Sequence, residues 1–560
     1  MKKDVIKTIK KYMGLTTNEI ENLIEIPPSP ELGDFAFPCF AVGKKLKKNP
    51  AEIAQDITKK IKSKEFEKVE AKGPYVNFFV DKTKLAKKTL ETIKMQKEKY
   101  GSKKLGNEKI MVEFSQPNTH KAFHVGHIRG TSLGESISRI LEFTGNKVIR
   151  ANYSGDTGMH IAKWLWSYQK FHAKEKLKEE ESWIASIYVE AIKKLEQTPE
   201  SQEEVEEINR KLESGEEKKL NYLWKKTRQS SINAWKKIYN ELNTKFSIQY
   251  FESELEKPAK AFVKSLVKKK IAKISEGATI INFEDQNQAN LGVFLLLRKD
   301  GTVLYGGKDL GLAEKKFKEF KLNKSYYIIG REQELYIHQV FKTLELAKSK
   351  AAGKSFYIPL SEVRLPTGKM SSRTGDNVLY SNFKKELIDY AKEEIKKRHK
   401  INTKELEKRS LLIAIASMKY AMLRQDLNKT IVFNKKESIS FEGNTGPYLL
   451  YTYARAKSIL RKAKYKQKKF KIKDLNDSEK SLVLQLTKFP EIIEKAYKTL
   501  SPSLIANYAH QLAQTFNEFY HKNKVIGSKE ESFRLVLVDA SSQVLKNALY
   551  LLGIETLERM

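Results

Sequence analysis

The stretch from residue 109 to residue 153 constrains this chain more than any other. Lys109 to Phe114 is an apolar, strand-forming run and Ser115 to Phe123 is a loop. A helical pattern then begins near His127 and stops at Gly145, and Lys147 to Tyr153 reads as a second strand. Two strands joined by a helix pair in parallel through a crossover, so this unit predicts an α/β sheet with its ligands at the strands' carboxyl ends. At that edge stands His124-Val125-Gly126-His127. Histidines three apart share one helical turn, Gly126 lets a nucleotide approach the backbone, and a helix N-terminus offers free amides and partial positive charge to phosphate. An isolated His-x-Gly-His could equally decorate a surface or fill a core; the β-α-β setting favours phosphate.

A second segment carries complementary chemistry. Leu365-Pro366-Thr367-Gly368-Lys369-Met370-Ser371-Ser372-Arg373-Thr374-Gly375 follows the strand-like Ser355 to Leu360, and its bracketing glycines predict a loop. The Lys369 ammonium can neutralise charge developing on a departing pyrophosphate, while the Ser371 and Ser372 hydroxyls hold phosphate or the loop itself. Alone, the segment reads as an ordinary basic turn.

The 560 residues carry 105 Lys and Arg against 69 Asp and Glu, a formal +36, so the field of the protein attracts polyanions, nucleic acid above all. A lysine-rich proteome would give the same excess without any such partner. Cys39 is the single cysteine, which excludes a disulfide framework and a multi-cysteine zinc site and predicts a reducing, cytoplasmic location. No spacing of metal ligands is visible, so no dedicated metal site is expected, and no apolar run is long enough to predict a membrane span.

Three consecutive blocks emerge. Residues 1–105 open with a helix, turn at Ile26 to Pro30, and end in the strand-like Tyr75 to Val80 and a helix from Lys82 to about Tyr100. Residues 106–384 hold the β-α-β unit, interrupted at about 168–270 by a Glu- and Lys-rich helical insertion that includes Lys174 to Ser182. Strands are expected to resume the same sheet at Ala278 to Phe283, Leu291 to Arg298, Thr302 to Tyr305 and Ser325 to Gly330, with a helix near Leu310 to Phe320. Residues 385–560 are almost wholly helical, with apolar faces that predict a bundle.

Read together, the two motifs resemble the signatures of class I aminoacyl-tRNA synthetases. The run Glu113-Phe114-Ser115-Gln116-Pro117-Asn118-Thr119-His120-Lys121-Ala122-Phe123-His124-Val125-Gly126-His127 resembles arginyl-tRNA synthetases in particular. So do Val148 to Tyr153, Gly155-Asp156-Thr157-Gly158, Asn444-Thr445-Gly446-Pro447-Tyr448, Gly33-Asp34-Phe35, and the stretches Leu551 to Ile554 and Glu558 to Met560. The resemblance covers nearly the whole chain, with the charged insertion its least recognisable part. It implies a Rossmann-like catalytic domain, a small α+β N-terminal domain that binds the tRNA elbow, and a C-terminal helical bundle that binds the anticodon. The implied activity is ATP-dependent activation of L-arginine and its transfer to the 3'-terminal adenosine of tRNA(Arg), by a monomer, with Mg²⁺ travelling on ATP.

The same resemblance implies the site residues. Lys121, His124, His127, Lys369, Ser371 and Ser372 would be catalytic, and His124, Gly126, His127, Lys369 and Met370 would bind ATP. Tyr305, Asp309 and Glu252 would take the guanidinium, which demands a carboxylate able to accept its fork, while Asn118, Gln333 and Glu113 hold the other end of arginine. Many relatives lack the lysine–serine loop and rely on the upstream lysine; this chain has both, and Lys369 is expected to dominate. Thr157 and His160 replace the Trp and Gln often found at those positions. Tyr75 and Asn77 are the candidates for the tRNA elbow, and Tyr448, Tyr451, Tyr520 and Met560 for the anticodon, with core packing competing for each tyrosine. Two other readings are a shorter nucleotidyltransferase sharing only the paired histidines and a catalytically inert RNA-binding relative. A glutamyl, cysteinyl or leucyl enzyme is the nearest confusion within the class.

Overall fold

The computed structural model describes residues 1–62, 66–364, 379–398, 400–466 and 470–560, which form two compact units. One comprises Met1–Lys97, Ala463–Thr487 and Thr515–Ser541; the other comprises Glu98–Lys462, Lys488–Gln514 and Ser542–Met560. The helical block after residue 385 is thus shared between both units.

In the first unit, strands Phe35–Pro38, Phe66–Lys72 and Tyr75–Val80 form an antiparallel sheet with Tyr75–Val80 in the middle. Phe37, Val76 and Phe78 face helices Lys2–Met13 and Pro50–Lys60 across a small apolar core. Gly33 has φ +92 and stands where a Cβ would meet the Phe78 carbonyl oxygen at 2.8 Å, so only glycine lets Asp34 swing round to accept from the Val80 amide (2.8 Å) and pair with Lys82. The helix after this sheet runs Lys82–Gln96, ending earlier than expected.

The second unit is built on a five-stranded parallel sheet. Its strands are β1 (Lys109–Glu113), β2 (Lys147–Ser154), β3 (Ile248–Phe251), β4 (Lys324–Gly330) and β5 (Ser355–Leu360), ordered β5-β4-β1-β2-β3. β1 is central, and its Ile110 to Glu113 are buried, as a parallel strand covered on both faces requires. The crossover helix α1 (Val125–Phe143) begins two residues before His127 and is buried along most of its length. A Cβ on its Gly134 would lie 2.0 Å from the Phe114 ring, which fixes how closely helix and strand approach.

Four expectations need correcting. The insertion predicted at 168–270 contains β3, which pairs with β2 at the sheet's edge, so the intervening helices Glu181–Gln197, Gln202–Ser214 and α2 (Lys218–Glu241) end before it. Four residues of strand are too few to show alternation beside a charged helix. Residues 174–180 are not helical. The strands Ala278–Asn282 and Val293–Leu297 do not rejoin the main sheet; with Lys273–Ser275 they make a separate antiparallel sheet. Thr302 to Tyr305 is not a strand beyond a single bridge at Val303, because helix α3 (Tyr305–Phe320) starts at Tyr305 itself.

Helix Thr403–Leu423 packs against α1 and against helix Gly446–Lys462, where a Cβ on Gly446 would lie 2.3 Å from the Ala416 carbonyl oxygen. The Thr445 hydroxyl accepts from the Tyr448 amide (3.2 Å), so the Asn444 to Tyr448 motif is a helix start with proline in its first turn. The residues near 550 return to α1: Ser136 Oγ donates to the Leu551 carbonyl (2.7 Å) and Arg139 to the Tyr550 carbonyl (3.0 Å). Lys419, buried beside them, donates to the Leu242 carbonyl at 2.6 Å, and burial lowers its ammonium to about 7.

Candidate active site

Two cavities adjoin at the carboxyl ends of the strands, with Gln116 and Ile329 in both walls. The first, about 410 Å³, is lined by His124, Gly126, His127, Arg129 and Gly130 of α1 and by the ends of β4 and β5. His124 is the N-cap residue: its Nδ1 accepts from the Gly126 amide (3.1 Å), while its own amide donates to Nδ1 of His127 (3.2 Å). This reciprocal cap holds the two rings 4.0 Å apart. With both Nδ1 atoms accepting, each imidazole carries its proton on Nε2 as a hydrogen-bond donor. Burial keeps both rings neutral, lowering His124 to about 4 and His127 well below its ordinary range, with the Lys121 ammonium adding to each shift. Lys121 itself lies 5.5 Å from the centre of the Tyr188 ring, beside the histidines.

The loop leaving β1 carries three non-glycine residues in the left-handed region: Ser115 (φ +78), Gln116 (φ +52) and His120 (φ +62). Each costs on the order of 1 kcal/mol and persists because its surroundings over-determine it. Helix α2 supplies much of that support. Tyr239 hydrogen-bonds Ser115 (2.9 Å), Ser231 accepts from the His120 amide (3.1 Å), and Thr227 bonds its ring nitrogen Nε2 (2.8 Å). Asn152 of β2 accepts from the Gln116 amide at 3.0 Å. Asp156, fully buried, accepts from Arg228 of α2 (2.7 Å) and from the Ser253 amide (2.9 Å), so within Gly155 to Gly158 it ties three segments together.

The second cavity, about 400 Å³, has Glu113, Asn118, Glu252, Tyr305, Asp309 and Gln333 in its wall, the six residues assigned to arginine from the sequence. They come from the ends of β1 and β3, the loop after β1, the first turns of α3, and the turn Arg331–Gln333. Gly155 lies against them, since a Cβ there would stand 2.4 Å from Asn118 Oδ1 and 3.1 Å from Glu252 Oε1. The three carboxylates differ sharply. Glu113 pairs with Lys316, both essentially buried, and accepts from Gln116 (3.1 Å). Burial opposes the Lys316 charge, but Glu113 outweighs it and holds the ammonium above its usual range. Glu252 takes Lys308 (3.2 Å) and the Thr157 hydroxyl (3.1 Å), so Thr157 serves the acidic cavity. Asp309 accepts from the Tyr336 hydroxyl and makes no ion pair among the described residues. Burial raises its carboxyl to about 7, with Glu113 and Glu252 contributing. A site with two compensated carboxylates and one poised without a cation is built to take a single positive group.

Tyr153 lines this cavity with its hydroxyl buried and without a partner among the described residues, while His160, likewise with an unpartnered Nε2, lines neither cavity. Sequence reasoning missed Lys316, Lys308, Tyr336 and Tyr153. For Lys316 a signal existed, because 305, 309 and 316 share one helical face. Lys369, Met370, Ser371 and Ser372 lie outside the described residues.

The tRNA candidates are scattered. Tyr75 is half-buried, edge-on to Phe40 at 5.7 Å, and Asn77 is only 3% exposed, which withdraws its amide from a partner. Tyr520 belongs to the same unit and is partly exposed. In the other unit Tyr448 packs on His510 (5.6 Å), Tyr451 lies under the Arg455 guanidinium (4.7 Å), and Met560 is half-buried.

Comparison with known proteins bears on this geometry. Residues 89–435 match the model for the catalytic domain of class I (R) tRNA synthetases, residues 449–560 that for the DALR anticodon binding domain, and residues 1–80 that for the arginyl-tRNA synthetase N-terminal domain. The fold is that of a class I tRNA synthetase. The chain is 37% identical to the arginine--tRNA ligase of Clostridium perfringens over 570 aligned positions and 36% identical to that of Clostridium acetobutylicum over 566, spanning all of itself and all of each relative. Within the class, the chain belongs to the arginine--tRNA ligase family. Its fold superposes on Thermus thermophilus arginyl-tRNA synthetase with a TM-score of 0.80 (24% identity, 100% of this chain and 99% of that one) and on the Plasmodium falciparum enzyme with 0.76 (23%, 99% of each).

Proposed function

We propose that this chain activates L-arginine with ATP, releasing pyrophosphate, and transfers the arginyl group to the 3'-terminal adenosine of tRNA(Arg). The observation that carries the reading is the meeting of two cavities at Gln116, one acidic with a single uncompensated carboxylate, the other flanked by two imidazole donors at a helix N-terminus.

Arginine enters the acidic cavity with its guanidinium on Asp309. Tyr305 flanks it, Glu252 adds a second negative charge, and Asn118 and Gln333 engage the α-amino and carboxylate end. Glu113 acts through Lys316. The carboxylate then faces the α-phosphorus of ATP in the neighbouring cavity, and no enzyme nucleophile is needed. Nε2–H donors from His124 and His127 meet the phosphate oxygens as charge builds in the pentavalent state, at no reorganisation cost because the cap has fixed both rings. Lys369 neutralises the leaving pyrophosphate with Ser371 and Ser372 beside it, Lys121 contributes less, and Gly126 and Met370 border the nucleotide. Mg²⁺ arrives on ATP. Tyr75 and Tyr520 are proposed to meet tRNA from one unit, and Tyr448, Tyr451 and Met560 from the other. No helix among the described residues is long and apolar enough to cross a membrane, and we propose a cytoplasmic monomer.

The test is charging of total cellular tRNA by the purified protein with ATP, Mg²⁺ and each labelled amino acid in turn. Arginine alone is expected to be incorporated. Incorporation of a different amino acid would overturn the pocket assignment.

A further inference from the structure

Two residues past His127, α1 buries a guanidinium that the reaction does not use. Arg129 is 1% exposed, and among the described residues it has no carboxylate within ion-pair distance. Its partners among the described residues are five main-chain carbonyls, divided between its two terminal nitrogens. Nη1 donates to Ser361 (2.7 Å) and Glu362 (3.1 Å); Nη2 donates to Lys429 (3.0 Å), Leu427 (3.3 Å) and Asp426 (3.4 Å).

The two groups of carbonyls belong to segments with different allegiances. Residues 361–364 leave β5 and form a wall of the cavity that also holds His124 and His127. Residues 426–429 follow directly on helix Thr403–Leu423, and Asp426 is held there by the Ser503 hydroxyl (2.6 Å). Beyond Arg129 the segments join in a short parallel ladder, Val363 to Ile431 and Arg364 to Val432. The guanidinium therefore fills the mouth of that ladder, with one tine of its fork on each segment.

We infer that Arg129 is a positioning residue, which fixes the 361–364 wall of the nucleotide cavity relative to the paired histidines and couples that wall to the helical block through residues 426–429. The inference rests on the first cavity being the ATP site. Fork geometry carries it: a guanidinium has rigid, divergent donors, whereas an ammonium has one nitrogen and cannot reach both segments at once. Because these acceptors are neutral, the guanidinium keeps its positive charge in the wall of the cavity, and lysine in its place would keep that charge while losing the fork.

Two measurements test this. In ATP–pyrophosphate exchange with tRNA present, Arg129→Lys is expected to raise KM for ATP at least tenfold while KM for arginine changes less than threefold, since the arginine cavity takes no residue from 361–364. In amide hydrogen exchange on the unmodified protein, a non-hydrolysable ATP analogue is expected to slow exchange at 360–364 and also at 424–432, although no residue of 424–432 lines the cavity; in Arg129→Lys only the first peptide should respond. Protection confined to 360–364 in the unmodified protein, or an Arg129→Lys enzyme with both KM values within twofold of normal, overturns the inference. Should Arg129→Lys not fold, exchange on the unmodified protein decides alone. An unmodified protein that charges arginine while its 360–364 peptide ignores ATP overturns the location of the nucleotide, whereas one that charges no arginine overturns the proposed function itself.

Discussion

Asp309→Asn separates recognition from stability in opposite directions. In the folded protein the Asp309 carboxyl titrates at about 7, against 3.8 for an ordinary aspartate, because burial penalises its charge. The unfolded chain therefore releases this proton as pH rises past about 4 while the native state keeps it. Native stability falls across the window from 4 to 7 and the full cost is present above it, at most about 4 kcal/mol for a shift of this size. Asparagine removes that cost, so the variant should melt higher than the parent at pH 8 and lose the advantage at pH 4. Arginine, however, needs the carboxylate. Removing the charged partner of a buried pair costs roughly 2–5 kcal/mol, which raises KM for arginine by at least about thirtyfold. In the parent the same group predicts that KM for arginine rises about tenfold per unit as pH drops below 7, because the guanidinium must displace a proton. Arginine titrations of charging from pH 5.5 to 8.5, with melting curves at pH 4 and 8, check both limbs. A parent KM that stays flat between pH 6 and 8, or a variant that keeps its KM within threefold, would refute the assignment.

Lys369→Ala should reduce kcat for adenylate formation by two orders of magnitude or more, the scale for loss of a transition-state donor, and Lys121→Ala by clearly less; the reverse order in pyrophosphate exchange would overturn the ranking. Lys316→Met leaves Glu113 buried without its cation, so denaturant melts should show a loss of about 3–5 kcal/mol, with arginine affinity falling as well. The Cys39 thiol, buried and pushed up to about 12, should resist iodoacetamide at pH 8 until the N-terminal unit unfolds; mass spectrometry of the native protein reads this directly.

The sheet's nucleus was legible because β1, α1 and β2 each announce themselves locally, by an apolar run, a helical period and the Gly145 stop. The acidic cavity was legible through motif resemblance, since Glu113, Glu252, Asp309 and Gln333 lie far apart in the chain and no spacing rule joins them. What those carboxylates do was hidden. The tie between Glu113 and Lys316 spans 203 residues, and nothing in either neighbourhood announces it. Helix α2 reads as part of a charged insertion, yet Thr227, Ser231 and Tyr239 turn inward to hold the loop after β1; the signal of a charged outer face overwhelms three polar residues on the inner one. β3 was too short to register beside it.

The return of residues 550 and 551 to α1 has a consequence for synthesis. Ser136 and Arg139 sit on the helix that carries the paired histidines, but the carbonyls they require lie 415 and 411 residues downstream. At a translation rate of about 5–20 residues per second, roughly twenty to eighty seconds separate the two ends of each bond on the ribosome. Throughout that interval the helix that carries the paired histidines lacks these two acceptors, so Ser136 is left to water and Arg139 is held only by Glu135 and the Asn243 carbonyl. The packing of this helix is therefore completed only when translation reaches residues 550 and 551, near the far end of the sequence from the helix itself.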